Sequence, residues 1–110
     1  QSAKFSERDV KVGDLTFSVE RNEIFCGGRP IKLTRTELRM LSYMMQNSQK
    51  AYSRDELLNA IWGYDTKVET RVTDETLRRI RKQLSLCGSN VSVRTMWGFG
   101  YRIEVNGDEK

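Results

Sequence analysis

The chain has 110 residues, 37% hydrophobic and 31% charged, with a formal net charge of +4. That length suits one domain burying roughly two-thirds of its surface, and the balance is that of an ordinary globule rather than a disordered or membrane-embedded chain. The densest apolar run, Leu38 to Met45, is broken by Arg39 and Ser42, well short of the about 18 residues a membrane span needs, and no secretory signal peptide is visible.

Residues 1–8 read as linker or a ragged terminus, residues 9–106 as the folded domain and residues 107–110 as a fraying tail. The chain begins with Gln1 rather than Met, as expected of a piece of a longer protein. From Val10 to Leu33 the apolar residues alternate: Val10 and Val12; Leu15, Phe17 and Val19; Ile24 and Cys26; Ile31 and Leu33. Turn signals at Gly13-Asp14, Arg21-Asn22 and Gly27-Gly28 separate them, which predicts a small antiparallel sheet of three or four strands. Pro30 suits the start of an edge strand.

Thr34-Arg-Thr-Glu37 is a capping box, so a helix is expected to follow, with Leu38, Leu41, Met44 and Met45 inside, to about Ser48. Ala51-Tyr52 is long enough only for a β-bridge. Ser53-Arg-Asp-Glu56 repeats the capping pattern and opens a short helix with Leu57, Leu58, Ile61 and Trp62 inward, ended by Gly63. Tyr64-Asp65-Thr66-Lys67-Val68 reads as an exposed loop.

A third helix is expected from Thr70 to Leu86, and it carries five cations between Arg71 and Lys82. Stepping about 100° per residue from Leu77, Thr73, Leu77, Ile80 and Leu84 form the buried stripe. Val72, Glu75, Thr76, Arg79, Lys82 and Gln83 fall opposite, flanked by Arg71 and Arg78. Arginine beside small hydroxyl and amide groups suits phosphates and base edges together. A solvated face, with Arg79 merely paired to Glu75, is the bland reading. Val91 to Thr95 and Tyr101 to Val105 alternate as two strands around a glycine-flanked tip, Trp97-Gly98-Phe99-Gly100, with both glycines expected at φ > 0. Seven basic residues against four acids between Glu69 and Glu104 favour a polyanion partner. The fold class is α+β: an N-terminal antiparallel sheet, three helices and a hairpin wing, that is, a winged helix-turn-helix.

Three motifs carry a resemblance. They are Leu33-Thr34-x-x-Glu37 with Tyr52-Ser53-Arg54-Asp55-Glu56-Leu57-Leu58-x-x-Ile61-Trp62-Gly63; Val68-Glu69-x-Arg71-x-x-Asp74-x-x-Leu77-Arg78-Arg79-Ile80-Arg81-Lys82-x-Leu84; and Arg94-Thr95-Met96-Trp97-Gly98-Phe99-Gly100-Tyr101-Arg102. In this order and spacing the chain resembles the OmpR/PhoB family of bacterial transcription factors from Val10 to Ile103. The resemblance implies a cytoplasmic effector domain that follows a phosphorylated receiver domain or, in some relatives, is attached to a membrane-anchored sensor. It implies double-stranded DNA bound by two copies on direct-repeat half-sites, and contact with RNA polymerase through the loop of Tyr64, Asp65, Thr66, Lys67 and Val68. Thr76 and Arg79 fall at base-reading positions, Arg71 and Arg81 at phosphates, and Val72 where an apolar contact to a thymine methyl fits. Thr95 and Tyr101 match wing positions on the sugar-phosphate backbone. Trp97 stands at the tip, where some members carry a minor-groove arginine that Arg94 or Arg102 would replace here. Trp97 is equally compatible with a core aromatic closing the hairpin onto the third helix.

The competing classes fare worse. With no histidine, Cys87 lacking a base partner and Ser53 explained by its cap, nucleophilic machinery is missing, so neither an enzyme nor a small-molecule substrate is expected. Cys26 and Cys87 form no CxxC pair, which argues against zinc; two reduced, packed thiols and no cofactor are expected. Asp74 is expected to orient an arginine or support the helix N-terminus, and Trp62 and Tyr52 to serve packing. A winged helix that binds only protein is the better rival. RNA trails it, because the deep groove of an A-form duplex excludes such a helix.

Overall fold

The computed structural model describes residues 8–48, 50–63 and 69–105. Strands β1 (Val10–Val12), β2 (Leu15–Ser18), β3 (Glu23–Cys26) and β4 (Arg29–Pro30) form an antiparallel sheet in sequential order. Helices α1 (Arg35–Met45), α2 (Arg54–Trp62) and α3 (Arg71–Leu86) follow, with the two-residue β5 (Tyr52–Ser53) before α2. A hairpin of β6 (Val91–Met96) and β7 (Gly100–Val105) closes the chain, and β5 pairs with β7 to give a second sheet ordered β5-β7-β6.

Local chemistry sets most boundaries. The capping box at Thr34 is complete: the Glu37 N–H donates to Thr34 Oγ1 at 3.2 Å and the Thr34 N–H to Glu37 Oε1 at 3.1 Å. At Ser53 only half of the pattern forms. The Glu56 N–H donates to Ser53 Oγ at 3.0 Å, while the Glu56 carboxylate turns to Lys50. Gly63 ends α2 at φ +98°. The expected fourth strand at Ile31 and Leu33 lies earlier, at Arg29–Pro30, and α1 stops at Met45 rather than near Ser48. Ile31 still donates its N–H to Ile24 at 2.8 Å, but it and Leu33 are only partly buried against the core.

One core joins every layer. Leu15 and Ile24 from the first sheet, Met40, Leu41 and Met44 from α1, and Leu57 from α2 meet Leu77 and Ile80 of α3, all fully buried. The expected packing roles of Tyr52, buried, and Trp62, partly buried, hold. Gly98 takes the expected left-handed conformation at φ +77°, but Gly100 does not. Its reason is space: a Cβ there would sit 2.0 Å from the Tyr52 carbonyl oxygen, where β5 crosses β7.

Candidate nucleic-acid interface

Helix α3 packs against α1, α2 and β6, so its buried arc is wider than the four-residue stripe that periodicity selects. Thr73, Leu77, Ile80 and Leu84 are buried as expected, and Thr76 joins them at 5% exposure. This corrects the outward placement of Thr76. Its hydroxyl donates to the Val72 carbonyl at 2.8 Å, satisfying itself within the helix so that the residue can face inward. Val72 is half-buried at the edge of the arc.

On the far side Arg71, Arg78, Arg79 and Lys82 are exposed with Glu75 among them. Among the described residues none of these four cations enters an ion pair. The Arg79–Glu75 pairing is therefore not formed. Near Arg79 and Lys82, a shallow cleft of about 380 Å³ opens towards Lys32 and the capped start of α1 at Thr34. Lys32 had no motif to draw attention to it.

The other arginines of α3 and the hairpin are committed within the molecule. Arg81 leaves the side of α3 to reach the hairpin, where its Nε donates to the Val93 carbonyl at 3.1 Å and its Nη2 to Thr95 Oγ1 at 2.8 Å. Its guanidinium also lies 5.8 Å from the Tyr101 ring centroid. The Tyr101 hydroxyl donates to Asp74 Oδ1 at 2.5 Å, and Arg54 Nη2 to Asp74 Oδ2 at 2.5 Å. Asp74 thus orients an arginine, as expected, and in doing so joins the starts of α2 and α3 to β7. Burial, followed by the bond to Asp74, pushes the Tyr101 hydroxyl above its ordinary range. Arg54 carries more of this junction than its place in the second capping pattern suggested.

On the hairpin's outer surface Arg102 and Arg94 both meet Glu104, at 2.6 and 3.2 Å. The Arg102 hydrogen bond, helped by the nearby Arg94 charge, holds the Glu104 carboxyl below its usual range. At the tip Trp97 is 93% exposed and Phe99 55%, so Trp97 is no core aromatic. The loop Tyr64–Val68 lies outside the described residues. The cysteines are a second correction: Cys26 is buried, but Cys87 is exposed rather than packed. No helix among the described residues is long and apolar enough to cross a membrane.

Comparison with known proteins gives this surface a setting. Residues 28–103 match the family model described as "Transcriptional regulatory protein, C terminal". The chain is 34% identical over 99 residues to the phosphate regulon transcriptional regulatory protein PhoB of Shigella flexneri, covering 90% of the chain and 43% of that protein. It is 30% identical over 101 residues to the heme response regulator HssR of Staphylococcus epidermidis, covering 92% and 45%. It therefore spans less than half the length of these relatives. Among solved structures, the DNA-binding domain of Bacillus subtilis CssR superposes with a TM-score of 0.70 at 30% identity, covering 82% of this chain and 99% of that one. The DNA-binding domain of the response regulator AdeR shares the fold with a TM-score of 0.78 at 22% identity, covering 87% and 99%. The winged-helix architecture, with β6 and β7 as the wing, is common to them. The chain belongs to the OmpR/PhoB-type family of transcriptional regulators, as a DNA-binding domain and not an enzyme.

Proposed function

We propose that this domain reads double-stranded DNA sequence-specifically, with α3 in the major groove and the β6–β7 wing on the adjacent backbone and minor groove. The observation that carries the reading is the exposed face of Arg71, Arg78, Arg79 and Lys82, with no ion pair among the described residues and the wing standing beside it. A major groove about 12 Å wide admits one α-helix. Arg79 is assigned to a base edge, Arg71, Arg78 and Lys82 to phosphates, and Val72 to an apolar contact at the rim. Thr76 is left out because its hydroxyl is spent inside the helix. Arg81, Thr95 and Tyr101 act by holding wing and helix at a fixed angle and offer their outer edges to the sugar-phosphate backbone, with Trp97 at the tip and Arg94 flanking.

Cytoplasmic action, binding of two copies to direct repeats and contact of Tyr64–Val68 with RNA polymerase complete the reading; they rest on the resemblance. Selection of duplexes from a random pool, followed by a salt titration, tests it. Log affinity should fall linearly with log salt, by about 0.9 per phosphate contact. Absence of duplex binding at low salt would favour a winged helix that docks on protein. Footprinting at saturation should protect two half-sites about one helical turn apart, and a single protected half-site would reject tandem binding.

A further inference from the structure

The fold brings together two cysteines that are 61 residues apart in sequence. Cys26 ends β3 and Cys87 caps the C-terminus of α3, yet the Cys26 thiol donates to the Cys87 carbonyl oxygen at 3.7 Å. Separate bonds fix this corner. Ser89 Oγ donates to Asp14 Oδ1 at 2.7 Å, the Asn90 N–H to Asp14 Oδ2 at 3.0 Å and the Asp14 N–H to Asn90 Oδ1 at 3.1 Å. The Gly27 N–H donates to the Asp14 carbonyl at 2.9 Å. The β1–β2 turn is thereby docked on the α3–β6 loop, with a cysteine on each side of the junction.

The two sulfurs have different surroundings. Cys26 is 8% exposed, and burial pushes its thiol up to about 12. Cys87 is exposed, and its Sγ donates to the Leu84 carbonyl at 3.3 Å in the last turn of α3, just before the chain reverses at Gly88 with φ +71°.

We propose that Cys26 and Cys87 form a reversible intramolecular disulfide under peroxide, a modification site that ties the C-terminal end of α3 to the N-terminal sheet. The accessible thiol reacts first. The Cys87 thiolate forms an S–O bond with hydrogen peroxide as the O–O bond breaks, and the departing hydroxide takes up a proton to leave as water. Cys26 then attacks the Cys87 sulfenic sulfur: the S–S bond forms, the S–O bond breaks, and the Cys26 proton leaves with the hydroxyl as a second water. In sum, two thiols lose two electrons and two protons while one peroxide becomes two waters. This order follows from the two environments, since a buried thiol held protonated is a poor first nucleophile but a competent resolving one once an electrophilic sulfur stands beside it. Closing the sulfurs to about 2.05 Å requires the Cys87 thiol to leave the Leu84 carbonyl at the end of α3.

The test treats the full chain with hydrogen peroxide and reads intact mass, peptide map and melting temperature. The expected result is a loss of two hydrogens, a peptide linking Cys26 to Cys87, a monomer on a non-reducing gel, and a rise in Tm of roughly 10 °C from closing so long a loop, all undone by dithiothreitol. Cys26→Ala should stop at a Cys87 sulfenic acid that dimedone traps, whereas Cys87→Ala should leave Cys26 unmodified. A cross-link between two copies, or a wild-type Cys87 sulfenic acid that persists while Cys26 stays alkylatable after unfolding, would overturn the proposal.

Discussion

Helix α3 and the wing both carry arginine, four residues on the helix and two on the hairpin, but they use it differently. On α3, Arg71, Arg78, Arg79 and Lys82 project into solvent with no ion pair among the described residues. On the wing Arg94 and Arg102 share Glu104, and Arg81, which belongs to the helix, is drawn across to Val93 and Thr95. The helix therefore supplies an uncompensated positive field, while the wing supplies position. A count of basic residues cannot separate the two, because a cation already neutralised by a carboxylate adds little to the counterion release that drives polyanion binding.

The largest expected effect tests the helix. Arg79→Ala should cost about 1–3 kcal/mol of binding to the preferred duplex and relax preference at one base pair. Equal weakening on every sequence in a competition assay would move Arg79 to the phosphates. Next comes the junction between the two regions. Asp74→Asn leaves the Arg54 guanidinium without its charged partner and weakens the Tyr101 bond, so thermal unfolding should show a loss of about 1 kcal/mol. DNA affinity should fall with it while the salt slope stays at the wild-type value, since no phosphate contact is removed. A reduced slope would mean that Asp74 shapes the charge field itself.

The salt slope sharpens the contrast further. Arg71→Ala, Arg78→Ala and Lys82→Ala should each lower it by about 1, whereas Arg94→Ala should change it by much less. Equal slopes for all four variants would erase the distinction between a free helix face and a compensated wing. Glu104→Gln, which frees both wing arginines, should raise non-specific duplex affinity at low salt, and unchanged affinity would show that these arginines point away from the backbone. The smallest effect lies in acid. The Glu104 carboxyl is held below its ordinary value of 4.5, so the stability it lends is present above that value and is lost as pH falls through its lowered range. The difference between wild type and Glu104→Gln in acid unfolding should narrow there.

The elements that local rules govern were legible from residue order. Thr34 and Glu37 start α1, Ser53 starts α2, Gly63 ends it, and the spacing of Leu77, Ile80 and Leu84 shows which side of α3 is apolar; each depends on neighbours within a turn or two. Where several elements compete for one face, the same reasoning fell short. Thr76 is polar and stands about 100° from Leu77, so a single stripe excludes it, yet α3 packs against two helices and a strand and Thr76 is buried. Glu56 has the spacing to complete a capping box but pairs instead with Lys50, which lies outside the helix.

Chain order alone thus determined the fold class, the three helices, the wing and the basic character of α3, because capping, turn chemistry and apolar period act over a few residues. Only the tertiary structure decided which arginines stay free, why Gly100 has no room for a side chain, how Asp74 ties the wing to two helices, and that the Cys26 thiol reaches the backbone of Cys87. Those outcomes depend on groups from different elements, some of them 20 to more than 60 positions apart, and no local pattern encodes which partner will claim a charge, a space or a sulfur.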